Sequence, residues 1–164
     1  MKRMTVSAVT FLLALLVLTP AARAAAASYT FTTIGYPDPT DQYIDGRGIN
    51  DSGTVCGYYA DSSGNHHGFV RSADGSKFTK FDVQLTGVKV TYTRAYGINN
   101  NDDVVGTNVD SVGAHGFVRS VNGSKVTYTP VDVTLLGAEA GQTYAYGIND
   151  KGDIAGYYED STTN

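Results

Sequence analysis

The chain has 164 residues, of which 41% are hydrophobic and 17% charged, with a net charge of −4 at pH 7. Nucleic acid and anionic lipid need clustered Lys and Arg on their partners, and this balance speaks against both. A chain of this length supports one domain with its own core.

The first residues read as a targeting segment rather than as part of the fold. Met1-Lys2-Arg3-Met4 is basic, residues 5–18 are an apolar run, Pro20 breaks it, and Ala22-Arg23-Ala24 offers a small-x-small cleavage site. In this order the three parts predict a secretory signal peptide over residues 1–24. The alternative, a membrane anchor, needs about 20 apolar residues, and this run has 14. Cleavage after Ala24 removes Lys2, Arg3 and Arg23 but no acid, leaving 140 residues with 9 basic against 16 acidic side chains. The expectation is a secreted protein, extracellular or periplasmic, with no membrane span and a mildly acidic surface. Cys56 is the only cysteine, so no internal disulfide can form. Its counterparts in the repeat described next are Val105 and Ala155, which predicts a buried packing residue.

One phrase is written three times: Gly46-Arg47-Gly48-Ile49-Asn50, Ala95-Tyr96-Gly97-Ile98-Asn99 and Ala145-Tyr146-Gly147-Ile148-Asn149. Gly48, Gly97 and Gly147 are 49 and 50 residues apart, and Gly57, Gly106 and Gly156 each follow nine later. His67-Gly68-Phe69-Val70-Arg71-Ser72 returns as His115-Gly116-Phe117-Val118-Arg119-Ser120, and Asp82-Val83 as Asp132-Val133. Self-similarity at a fixed period marks a repeat architecture. Full repeats are expected over about 46–94 and 95–144 and a partial one over 145–164, all within a single domain, 25–164. A lone strand is expected over 29–36.

Each repeat predicts four short strands. The phrase itself is a hairpin: a strand, a turn rich in Asn, Asp and Gly, and a second strand over 55–60, 104–109 or 154–159. The third strand runs over 68–72. Asp74-Gly75 and Asn122-Gly123 then signal a tight hairpin into a fourth strand over 77–83 or 125–133. Apolar residues in both phases, as in Val104-Val105, suit sheets covered on both faces. The expected fold is all-β, with repeated four-stranded antiparallel meanders arranged as part of a β-propeller. A small β-sandwich or barrel is the alternative.

The run Gly-Ile-Asn-x-x-Gly-x-Val-x-Gly followed by His-Gly-Phe resembles the HAF family of bacterial extracellular repeats. Here Gly68 and Gly116 stand where that family has Ala, and the Trp common after Phe is absent. The resemblance spans about residues 29–160 and implies an exported, propeller-like protein. It implies no activity. Two repeats and a fraction fall short of the ~4–8 blades of a closed propeller, so a homo-oligomer that completes the ring is one expectation.

The candidate ligand-binding residues recur with the repeat: Tyr58 and Tyr59, Tyr157 and Tyr158, His67 and His115, Arg71 and Arg119. Tyr carries a rigid apolar body and a hydroxyl, suited to stacking on sugars or meeting a protein; its alternative role is packing. Each His either binds a ligand or starts a strand and bonds a turn carbonyl. Arg71 and Arg119 either line a channel or pair with acids such as Asp82 and Asp132. No metal site is expected from the histidines. Calcium on the Asn/Asp turns is an alternative to plain turn chemistry, and otherwise no cofactor is expected. No catalytic motif is present. The expected function is binding of a glycan or protein ligand without catalysis. The alternative is an extracellular or periplasmic hydrolase or lyase with an acidic site.

Overall fold

The computed structural model describes residues 28–35, 38–135 and 138–160, with the side chains of 139 and 140 left aside. The signal segment over 1–24 lies outside the described residues. The chain divides into two units, Met1–Thr32 and Thr33–Asn164. In the first, residues 28–32 carry no regular secondary structure. The ten strands among the described residues lie in the second: β1 Tyr43–Ile49, β2 Val55–Ala60, β3 His66–Arg71, β4 Phe78–Phe81, β5 Tyr92–Ile98, β6 Val104–Val109, β7 Ala114–Asn122, β8 Lys125–Val131, β9 Ala138–Ile148 and β10 Ile154–Asp160. Among the described residues there is no helix, and hence none long and apolar enough to cross a membrane.

The fold is all-β, with two mostly antiparallel sheets. The first is the meander β1-β2-β3-β4; the second runs β10-β9-β7-β6-β5, with β8 also paired to β7. Strands β5 to β8 thus repeat the meander of the first sheet, and β9-β10 repeat its first hairpin. The expected lone strand over 29–36 is not formed: residues 29–35 have no strand partner, and Tyr36 lies outside the described residues.

Each first hairpin closes through one Asn. The Asn50 Oδ1 accepts from the Thr54 N–H at 2.9 Å, Asn99 Oδ1 from the N–H groups of Asn101 and Asp103, and Asn149 Oδ1 from those of Lys151 and Asp153. Side-chain capture of turn N–H groups explains why Asn stands there three times. The turn ends in left-handed backbone at Gly53 and Gly152; Asp102 takes the same conformation with φ 61°, a region Asp tolerates better than most residues.

A bulge sits at the same place in every first hairpin. Register slips between Gly46 and Gly48, between Ala95 and Gly97, and opposite Ala155-Gly156. The extra residues are Arg47, Tyr96 and Tyr146. Facing each bulge is a glycine, and a Cβ at Gly57, Gly106 or Gly156 would strike the carbonyl of Asp45, Arg94 or Tyr144. The bulge therefore dictates the glycine nine residues after each Gly-Ile-Asn.

The core gathers Cys56, Phe81, Val83, Ala95, Ile98, Val104 and Phe117 from both sheets. Strands β2 and β6 are buried along nearly their whole length, as apolar residues in both phases anticipate. The link between meanders recurs as well. The Val83 N–H donates to Thr93 Oγ1, and the Val133 N–H to Thr143 Oγ1, both at 3.1 Å.

Candidate functional site

The bulges place Arg47, Tyr96 and Tyr146 in one row that crosses the repeats. The Arg47 guanidinium carbon lies 5.9 Å from the Tyr96 ring centre, and the Tyr96 and Tyr146 rings are 4.8 Å apart. Tyr157 continues the row 5.8 Å beyond Tyr146 and stacks on Tyr144 at 4.4 Å with 16° between planes. Tyr58 underlies the other end, 6.0 Å from Tyr96, with Arg47 and Arg94 at 5.4 and 5.5 Å from its ring. Cation–π contact and offset stacking hold such a row together.

Tyr146 and Tyr157 keep 43% and 47% of their surface exposed, while Tyr58 keeps 6%. Burial raises the phenol pKa of Tyr96, Tyr144 and Tyr146, so these rings are neutral at physiological pH. The Arg47 charge is matched by Asp45 at 2.6 Å. Beside the row, Val133, Thr143, Tyr144, Ile154 and Tyr158 line a shallow depression of about 210 Å³. The arrangement offers flat apolar faces edged with hydroxyls, which suits stacking rather than bond chemistry.

The eight residues marked in the sequence part company here. Tyr157 and Tyr158 present ring surface, at 47% and 38%. Tyr58 and Tyr59 are packed away: β5 covers Tyr58, and Tyr59 stacks on His67 at 5.1 Å. Arg119 is also buried, its guanidinium carbon 4.9 Å from the Phe81 ring centre and its Nε without a hydrogen-bond partner. It borders a cavity of about 410 Å³ together with Lys77 and Asp102. Arg71 instead folds back to donate to its neighbour's carbonyl, Ser72 O, at 3.3 Å. Among the described residues neither arginine has an ion-pair partner, so of the two readings of these arginines the pairing with acids such as Asp82 and Asp132 is not formed.

Those acids hold the histidines. His67 Nδ1 lies 2.8 Å from Asp82, and its Nε2 lies 3.2 Å from Asp61. His115 repeats the clamp with Asp132 at 3.1 Å and Asp110 at 3.3 Å. The partner at the turn is therefore a carboxylate rather than a carbonyl. Burial alone lowers the His67 pKa, but the two carboxylates outweigh it and the net shift is upward. The Asp61 carboxyl is held well below the usual range, chiefly by Asn65 and also by His67. With both ring nitrogens against carboxylates, His67 ties the second turn to the end of the fourth strand and has neither nitrogen free to face a substrate. The same clamp occurring twice marks a repeat fastener.

His66 faces the other way. Its Nδ1 accepts from Arg94 Nε at 2.7 Å, and it sits among Tyr43, Tyr58 and Tyr92. Burial, then Arg94, lowers its pKa.

The Asn/Asp turns are occupied by their own hydrogen bonds. Asp102 Oδ1 accepts from Asn50, Asp103 Oδ2 from Asn99, and both Asp150 oxygens from Asn100. That is turn and inter-repeat chemistry. Among the described residues no group of three His, Cys, Asp or Glu is arranged to hold a metal ion.

Arg47, Tyr96 and Tyr146 are not among the residues marked for binding in the sequence, although the recurring phrase puts them at one equivalent position. The signal was present: each stands between a small residue and the glycine of the recurring phrase. Its consequence, a bulge, depends on the facing strand. The chain matches no family model, no curated protein and no solved structure.

Proposed function

We propose that this is an exported, non-catalytic binding protein whose repeats form part of a β-propeller, and that the row Arg47, Tyr96, Tyr146 is its carbohydrate platform. The observation that carries the reading is the bulge in each first hairpin, which aims one large side chain per repeat into a continuous, partly exposed row. Tyrosine faces stack on the C–H faces of sugars, and their hydroxyls bond sugar oxygens. Because Asp45 already neutralises Arg47, the platform favours uncharged glycans. Recurrence of the acids inside histidine clamps supports binding over hydrolysis. The signal-like N-terminus and the HAF-like repeats support export and the propeller arrangement.

Calorimetric titration against soluble neutral and uronic polysaccharides tests this reading. A neutral polysaccharide should bind, and Tyr146→Ala should weaken it about tenfold, the value of roughly one stacking contact. Undiminished binding by the Tyr96→Ala, Tyr146→Ala double variant, or hydrolysis of any polysaccharide in the panel, would overturn it.

A further inference from the structure

The two interfaces between successive repeats are built from the same contacts, and the third repeat leaves those contacts open. A Cβ on Gly48 would meet Tyr96 O at 3.0 Å and Gly97 Cα at 3.2 Å. One on Gly97 would meet Tyr146 O at 2.8 Å and Gly147 Cα at 3.0 Å. One on Gly147 would meet nothing within 4 Å. The turn asparagines follow suit. Asn50 Nδ2 donates to Asn99 O at 3.1 Å and Asn99 Nδ2 to Asn149 O at 3.2 Å; Asn149 Nδ2 keeps the bond to its own Asp153, as Asn99 does to Asp103, without the bond to a following repeat among the described residues. Beside them the Asp51 N–H donates to Asn100 Oδ1 and the Asn100 N–H to Asp150 Oδ1. Strand β2 is buried along its length; the equivalent β10 is exposed through its middle.

The complementary half of this interface is on the same chain. In β1, Gly46, Arg47 and Ile49 are exposed, Ile49 at 68%. We propose that the open face of β9-β10 docks the first repeat of a second copy, with Gly147 against Gly48 and the Asn149 amide on the Asn50 carbonyl. Continuity with the two internal interfaces fixes the register. The incoming Arg47 takes, beside Tyr157 and Tyr146, the place Tyr96 holds beside Tyr58. Asp51 of the second copy comes to the Asp150 N–H. It brings a carboxylate toward Asp150, a like-charge contact that would oppose docking. Lys151 offsets it: it stands where the second repeat has Asn101, whose amide reaches across to Asp150 O at 3.3 Å. It is the only cation in the three turns. The contact is heterologous, so copies add head to tail and either close into a ring or continue. The bulge row is lengthened rather than covered, as the partial exposure of the doubly flanked Tyr96 indicates.

Sedimentation velocity of the full chain from low to high micromolar concentration tests the proposal. Wild type should show concentration-dependent association. Gly147→Ala should weaken it about tenfold or more, the equivalent of 1.4 kcal/mol, with an unchanged unfolding midpoint, since the added methyl meets only the incoming copy. Lys151→Glu should weaken it at low salt and less so at high salt. A chain that stays monomeric across the range overturns the proposal, and so does a Gly147→Ala chain that associates as wild type does. The first result would assign the face to a further repeat or a different partner.

Discussion

The side-chain amide of Asn50 donates to the backbone carbonyl of Asn99, 49 residues away, at 3.1 Å. Asn99 repeats the bond to Asn149 at 3.2 Å. Each asparagine closes its own turn with Oδ1 and fastens the next repeat with Nδ2. One residue type therefore serves local and long-range structure together, and the pattern runs in one direction along the chain.

Asn99→Ala should lose about 2 kcal/mol of unfolding free energy, because the N–H groups of Asn101 and Asp103 and the carbonyl of Asn149 all lose a partner. Asn149→Ala should lose less, since its turn is exposed and its amide bonds its own Asp153 rather than another repeat. Urea unfolding of the two variants side by side checks the order. Equal losses would mean that the link between repeats carries no stability.

Gly97→Ala should destabilise by about 2–3 kcal/mol, the cost of overpacking a tight contact. The new methyl meets the backbone of Tyr146 and Gly147, which cannot swing aside as a side chain can. Thermal unfolding measures this, and a Gly97→Ala chain as stable as wild type would show that the repeats separate easily.

The histidine clamp gives a pH signature. The folded pKa of His67 is raised, so its contribution is fully present below the unfolded value of about 6.5 and is lost as pH rises through the folded value. The depressed Asp61 carboxyl acts at the other limit: its contribution is present above the usual carboxylate value and is lost as pH falls through the lowered one. Denaturant titrations at a series of pH values should show stability falling from mildly acidic toward alkaline pH. In His67→Gln that alkaline decline should be shallower, and an unchanged slope would remove His67 as its source.

Cys56 is fully buried, and burial pushes its thiol up to about 12. Its thiolate is scarce at neutral pH and unreachable. A thiol reagent should therefore label the folded chain far more slowly than the chain in denaturant. Cys56→Ser places a hydroxyl in the apolar core and should cost about 1–3 kcal/mol, read by urea unfolding. Rapid labelling of the folded chain would contradict the packing role.

Much of the architecture was legible in the residues. Strands β2 and β6 begin and end where the turn residues place them, because a turn of Asn, Asp and Gly is encoded within a few positions. The third and fourth strands differ by a residue or two at their ends, where the hydrogen-bonding partner rather than the pattern sets the limit. The candidate site was less legible. Tyr58 and Tyr157 occupy equivalent places and look alike in sequence, yet one is covered and the other open.

The period of the repeat, the all-β character, the turn positions and the packing role of Cys56 could be read from the residues alone. These rest on local backbone preference and on pattern, which neighbouring residues carry. The row of Arg47, Tyr96 and Tyr146, the hold of Asp82 and Asp132 on histidines rather than arginines, and the inward turn of Arg119 onto Phe81 emerge from the packing of the strands. Each of these depends on the facing strand or on the next repeat, some 50 residues away, and no local pattern encodes which surface a neighbour will cover.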